Sequence, residues 1–159
     1  KTIDLTSTFE ELMKASFTSE NKMARSNIKP RLRMTTLYYY AQDLGYLVLG
    51  PSNASEWYLG YSTKYGDSAA DIMPIANILK TDIFEIAKEL GLPEFIINKK
   101  PSAGLWVGQT DEDEMGFTYE VLDSYIRGEK IPEPEIKEKI DRMHKNSSHK
   151  RVMAPKFEI

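Results

Sequence analysis

Apolar and polar positions along the chain follow mostly helical spacing, interrupted by two short apolar runs that read as strands. Thr8-x-x-Glu11 fits a capping box and predicts a short helix over Phe9 to Phe17, followed by a polar connection from Thr18 to Met23. A longer helix is expected from Met23 or Asn27 to Leu44, with Gly45 as its C-terminal stop. Its segment Leu37-Tyr38-Tyr39-Tyr40-Ala41 is apolar or aromatic on several faces, which predicts burial on more than one side. A subunit interface is one candidate cover.

Tyr46-Leu47-Val48-Leu49-Gly50 is continuously apolar after a helix, the pattern of a central parallel strand covered on both faces. Pro51-Ser52-Asn53 ends it, and Asn53-x-x-Glu56 reads as the next helix start, so a ligand pocket is expected at that handover. A second strand is expected around Asp71-Ile72-Met73-Pro74. An amphipathic helix then runs from Thr81 or Asp82 to Leu90, stopped by Gly91 and Pro93. From Asn98 to Thr110 no period is visible. Such a stretch, with Pro101, Gly104 and Gly108 around an exposed-looking Leu105-Trp106-Val107, suits either a functional loop such as a lid or a disordered segment. A helix from Asp111 to Arg127 carries four acidic residues in its first turn, Gly128 stops it, and Pro134 opens a last helix to about Asn146. There is no internal repeat, low-complexity tract or sign of a domain boundary.

Composition narrows the function. With 41% hydrophobic and 28% charged residues the chain suits a globular domain, and none of its apolar runs is long enough to span a membrane. The absence of cysteine excludes thiolate catalysis and zinc-thiolate sites. No secretory pattern opens the sequence, so a cytoplasmic location is expected. A net charge of -3 gives no general attraction for nucleic acid or anionic lipid, so an anionic ligand needs a local cluster of cations. Candidates are Lys29, Arg31 and Arg33; Lys99 and Lys100; and His149, Lys150 and Arg151. Arg31 and Arg33 lie roughly 200° apart around a helix, so at most one of them faces a given ligand.

The segments Asn27-Ile28-Lys29-Pro30-Arg31-Leu32-Arg33-Met34, Ser55-Glu56, Tyr61-Ser62-Thr63-Lys64-Tyr65-Gly66-Asp67, Leu79-Lys80-Thr81 and Pro101-Ser102-Ala103-Gly104-Leu105-Trp106, followed by Gln109-Thr110-Asp111-Glu112, resemble the ammonia-dependent NAD synthetase family in wording and order. The resemblance runs from about Asn21 to the C-terminus. It implies a three-layered α/β fold with a mainly parallel sheet, like the adenine-nucleotide α-hydrolases, of which residues 1–159 would be the C-terminal portion of a single domain. It further implies a homodimer. The implied reaction has two steps: ATP adenylates the nicotinic acid carboxylate of deamido-NAD with release of pyrophosphate, and ammonia then displaces AMP. Polyanionic substrates of this kind call for cations, a metal and exclusion of water.

Carried over residue by residue, Glu56 matches the family's magnesium ligand, while Lys80 and Ser102 match positions that contact ATP. Asn27, Arg31, Lys64, Asp71, His149 and Lys150 match deamido-NAD contacts, and Asp67 matches an aspartate beside the nicotinate carboxylate and the ammonia site. A carboxylate that holds ammonium and helps take its proton would supply a nucleophile at neutral pH. Plain structural roles compete for each: a capping-box glutamate, a surface lysine, turn residues at Ser102, Asp67 and Asp71, a helix cap at Asn27, and a solvated tail at His149 and Lys150. Pro51 stands where the family commonly has threonine, and Met23 where some relatives have an aromatic that stacks on the pyridine.

The family's Ser-Gly-Gly-x-Asp-Ser phosphate loop does not occur in the sequence. The expectation is that a longer polypeptide supplies that loop and further strands, and that the chain alone is inactive. No glutaminase with a cysteine nucleophile is present, which makes free ammonia the expected donor. Two other readings stay open: another ATP pyrophosphatase such as GMP synthetase, and a non-catalytic ligand-binding or dimerising remnant.

Overall fold

The computed structural model describes residues 2–17 and 19–157, so Thr18, part of the expected polar connection, lies outside the described residues. The chain divides into two compact units that alternate along the sequence: Lys1–Pro51 with Ser62–Pro74 and Leu105–Val107, and Ser52–Tyr61 with Ile75–Gly104 and Gly108–Ile159.

The first unit is built on α1 (Thr6–Ala15), α2 (Lys22–Ser26) and α3 (Ile28–Leu44), with α3 touching both others. The expected capping box at Thr8 does not form, because the helix starts a turn earlier. Asp4 Oδ1 accepts the Thr6 N–H at 2.8 Å and leaves Thr8 inside the helix. Part of the expected polar connection is the helix α2, opened by Asn21, whose side chain accepts the Ala24 N–H at 3.0 Å. The stop at Gly45 is as expected: its φ of 68° is left-handed, and its N–H returns to Ala41 O.

Beyond α3, the expected strands are reduced among the described residues to one isolated parallel bridge, Leu49 to Ile72. An apolar strand is central only when neighbours cover its edges and faces. Here Val48 is 7% exposed, whereas Tyr46, Leu47 and Leu49 are 68%, 67% and 66% exposed. The aromatic stretch of α3 is likewise not buried on several sides within this chain. Ala41 is buried, but Leu37 and Tyr39 face outward.

The second unit contains α4 (Ala54–Leu59), α5 (Lys80–Glu89), α6 (Glu94–Ile97), α7 (Asp111–Met115), α8 (Tyr119–Ile126) and α9 (Pro134–Asn146). Its core gathers Leu59 of α4, Met115, Phe117, Tyr119 and Leu122 around α7 and α8, and Ile140 of α9. Helix α8 packs on both α4 and α5, and α4 also meets α9. The single helix expected from Asp111 to Arg127 is two, because Gly116 turns left-handed at φ 78° and Thr118 recaps the chain by accepting the Val121 N–H. The loop between α6 and α7 has no regular structure, as its sequence suggests. No helix of the described residues is long and apolar enough to cross a membrane.

Candidate active site

Within the second unit, α4 begins with a complete capping box. Asn53 Oδ1 accepts the Glu56 N–H at 3.0 Å, and Glu56 Oε2 accepts the Asn53 N–H at 3.3 Å. The structural role foreseen for Glu56 is therefore real, yet it uses only one carboxylate oxygen. The other, Oε1, lies 3.4 Å from the Lys80 Nζ, and both side chains keep about a fifth of their surface open, 19% for Glu56 and 18% for Lys80. Burial pushes the Glu56 carboxyl above its ordinary value, opposed by the Lys80 charge and by the bonds from Asn53. Lys80 also stands 5.4 Å from the ring centre of Tyr119, a cation–π distance.

Next to the Glu56–Lys80 pair in sequence lies a buried polar cluster that no motif in the sequence marks. Asp123, fully buried on α8, accepts from the Ser55 hydroxyl at 2.5 Å with Oδ1. With Oδ2 it accepts the Thr81 N–H at 2.8 Å and the Thr81 hydroxyl at 2.9 Å. Ser55 Oγ in turn accepts the Lys80 N–H at 2.9 Å. Arg127 donates to Thr81 Oγ1 at 3.1 Å and to Asp82 Oδ1 at 2.5 Å. The available signal was an acidic residue beside Leu122 on the buried face of α8.

A second polar cluster surrounds Tyr119. Its hydroxyl donates to Asp111 Oδ2 at 3.0 Å, and the Tyr61 hydroxyl donates to Glu114 Oε2 at 2.7 Å. Burial, then the neighbouring carboxylates, drives both phenols far above their ordinary range. They remain neutral hydrogen-bond donors.

Ser102 and the tail residues are positioned by local bonds. Ser102 Oγ accepts the Gly104 N–H at 3.1 Å, the turn role weighed for it above. Residues Ser148–Lys150 form a 3-10 turn after α9, and Lys150 Nζ donates to Gly60 O at 2.6 Å. Arg151 adds bonds to Tyr58 O at 3.0 Å and Ser147 Oγ at 2.7 Å. The tail is thus anchored rather than merely solvated, although His149 itself is exposed.

In the first unit a turn from Ser62 to Asp67 gathers four of the candidate residues. Asn27 Oδ1 accepts from the Thr63 hydroxyl at 3.0 Å, Arg31 donates to Lys64 O at 3.2 Å, and Asp67 Oδ1 accepts the Thr63 N–H at 2.9 Å. Tyr65 holds φ 60°, a left-handed conformation that is uncommon for a bulky residue and that marks many functional turns. Lys64 reaches to 5.2 Å from the Tyr65 ring centre. Asp71 stands apart from this turn. Its carboxylate accepts the Val48 N–H at 2.7 Å and the Tyr38 hydroxyl at 3.3 Å, fixing the segment around the Leu49–Ile72 bridge. Burial, then the Asp71 charge, raises the Tyr38 phenol.

The expected exposed apolar trio of the long loop is a correction: Leu105 is buried, Trp106 is half-buried and only Val107 is open. Lys29 Nζ donates to Leu105 O at 2.6 Å, and Lys22 Nζ sits 4.0 Å from the Trp106 ring centre.

As for a metal, no group of three or more His, Cys, Asp or Glu side chains that could hold an ion occurs among the described residues. An all-protein cage is thereby absent from them. A lone, partly open Glu56 does fit magnesium, which is commonly held by one or two carboxylates together with phosphates and waters.

The comparisons with known proteins follow the same lines. The family model described as NAD synthase matches residues 1–154. The ammonia-dependent NAD synthetase of Finegoldia magna is 58% identical over 157 residues, which cover 99% of this chain and 64% of that protein. A solved structure of NMN synthetase from Francisella tularensis superposes with a TM-score of 0.94 at 43% identity, covering all of this chain and 66% of the other. An ammonia-dependent NAD synthetase structure from Campylobacter jejuni gives 0.76 at 29% identity, over 98% of this chain and 64% of the other. The chain therefore spans a little under two thirds of the Finegoldia and Campylobacter proteins. A family match over nearly the whole chain, close relatives and shared structure lead to one conclusion: this chain belongs to the NAD synthase family.

Proposed function

We propose that this chain is the C-terminal portion of an ammonia-dependent NAD synthetase, a ligase that amidates deamido-NAD at the expense of ATP. The observation that carries the reading is the Glu56–Lys80 pair, in which the family's metal-ligand position and an ATP-contacting position meet at 3.4 Å. In the first step the nicotinate carboxylate attacks the α-phosphorus of ATP and pyrophosphate leaves with the electron pair of the broken P–O bond. In the second, ammonia attacks the acyl carbon, AMP departs and the nitrogen loses a proton. Magnesium, when bound, neutralises phosphate charge, and Glu56 is the side chain of this chain that would hold it.

Lys80 and the Ser102 hydroxyl are assigned to ATP. Asn27, Arg31, Lys64, Asp71, His149 and Lys150 are assigned to deamido-NAD, with Arg31 and Lys64 opposing its negative charge. Asp67 binds ammonium and assists its deprotonation. Its exposed position in the Ser62–Asp67 turn, beside Lys64 and a left-handed Tyr65, supports that role. Free ammonia is the nitrogen donor, and the working enzyme is a cytoplasmic homodimer. The fold is completed by the remaining length of the family polypeptide, which contributes the other strands of a mainly parallel sheet and the Ser-Gly-Gly-x-Asp-Ser loop.

Glu56→Gln in the complete polypeptide tests the metal role, because glutamine preserves a side-chain acceptor for the cap. Magnesium-dependent adenylation should fall by roughly 10- to 100-fold while the KM for deamido-NAD holds. A change in stability with unaltered magnesium dependence would reduce Glu56 to a capping residue.

A second reading is favoured by the TM-score of 0.94 with the NMN synthetase structure: amidation of the corresponding mononucleotide. Comparing kcat/KM for the two acids in one preparation separates the readings. Deamido-NAD should be preferred, and a preference for nicotinic acid mononucleotide would replace the first reading by the second.

A further inference from the structure

Helix α5 has Leu79 at its N-cap, a residue that offers no side-chain acceptor to the free N–H groups of the first turn. Two of those groups are nevertheless satisfied from distant elements: Ser55 Oγ takes the Lys80 N–H at 2.9 Å, and Asp123 Oδ2 takes the Thr81 N–H at 2.8 Å. Asp123 Oδ1 simultaneously accepts the Ser55 hydroxyl at 2.5 Å. One buried carboxylate therefore ties the first turn of α4 to the first turn of α5. Each tied residue is the immediate neighbour of a candidate functional residue, Ser55 of Glu56 and Thr81 of Lys80.

We infer that Asp123 is a positioning residue for the ATP site, holding Glu56 and Lys80 side by side through Ser55 and Thr81. The inference rests on the assignment of Glu56 and Lys80 made above. A helix cap alone does not call for this arrangement, because an exposed serine or asparagine at position 79 would satisfy α5 locally without burying a charge. The carboxylate gains three charge-assisted hydrogen bonds and lies at the positive end of the α5 dipole, which offsets its removal from water. What the distant acceptor adds is a fixed relation between two helix starts. Residues that orient a ligand-binding group without touching the ligand commonly shift affinity or activity by about 10- to 100-fold when changed.

The test uses the complete polypeptide and steady-state kinetics for both substrates. Asp123→Asn keeps the volume but removes the charge and puts an amide NH2 in place of one of two oxygens that between them accept the Ser55 hydroxyl, the Thr81 N–H and the Thr81 hydroxyl. It should raise the KM for ATP by about 10-fold or more and leave the KM for deamido-NAD within about 2-fold. Thr81→Val deletes one donor and spares the backbone N–H, so a smaller rise of about 5-fold in the ATP KM is expected. Ile140→Val, in the same unit's core, serves as a control that lowers thermal stability without moving either KM. Should Asp123→Asn not fold, Thr81→Val carries the test. An ATP KM unchanged in every folded variant of the clamp, with kcat falling only as stability falls, would overturn the inference. Lys80→Ala separates the two levels of argument: if it raises the ATP KM while the clamp variants do not, only the inference fails. If it leaves the ATP KM unchanged, the ATP assignment of Lys80 fails and the inference falls with it.

Discussion

Produced by itself, the 159-residue chain should form neither AMP nor NAD from ATP, deamido-NAD and ammonia, whereas the complete family polypeptide should form both. The chain spans 64% of the Finegoldia protein, and no Ser-Gly-Gly-x-Asp-Ser run is present to cradle pyrophosphate with backbone N–H groups. Around the isolated Leu49–Ile72 bridge, Tyr46, Leu47 and Leu49 stand about two thirds exposed. Fully covering such side chains stabilises a fold by about 1.5–3 kcal/mol each, so their exposure leaves the first unit short of core. Parallel assays of AMP and NAD on the two proteins decide the matter. Comparable turnover would mean that these 159 residues bind phosphate by groups not recognised above.

A second large effect is expected at Gly60. It closes α4 at φ 64°, and a Cβ there would fall 2.2 Å from Ser147 Cβ, while its carbonyl receives the Lys150 ammonium. Gly60→Ala combines left-handed strain with overpacking against an anchored tail, and should cost about 2–5 kcal/mol. Gly45→Ala is the control. Its φ of 68° is similar but nothing lies within 4 Å, so it should cost only about 1–2 kcal/mol. Urea midpoints of the two variants in the complete polypeptide provide the comparison, and equal losses would show that the contact with Ser147 contributes nothing.

Much of the helical framework was legible because its signals are local. Asn53 and Glu56 form the capping box their spacing suggests, and Gly45, Gly91 and Gly128 adopt the left-handed stops. The errors arose where a neighbouring residue competed. Asp4 captured the start of α1 ahead of Thr8, and Gly116 with Thr118 divided the helix expected from Asp111 onward. Strand order was not legible for a different reason. An apolar run such as Tyr46–Gly50 records that cover is needed but not which segment provides it.

For the candidate site, the family wording singled out Glu56, Lys80 and residues of the Ser62–Asp67 turn as candidates, whereas Asp123 stayed hidden among the residues of an amphipathic helix. Its partners lie 68 and 42 positions away in sequence, at Ser55 and Thr81, and no short motif spans such separations.

The alternation of the two units along the chain bears on how this sequence can be cut and recombined. The path changes unit after Pro51, Tyr61, Pro74, Gly104 and Val107. No single breakpoint therefore releases either unit as a continuous piece, and a hybrid joined at one position between relatives inherits at least one unit of mixed parentage. Exchanging the second unit intact requires moving Ser52–Tyr61 together with the two later segments, a three-part graft in which Ser55, Lys80 and Asp123 come from the same parent.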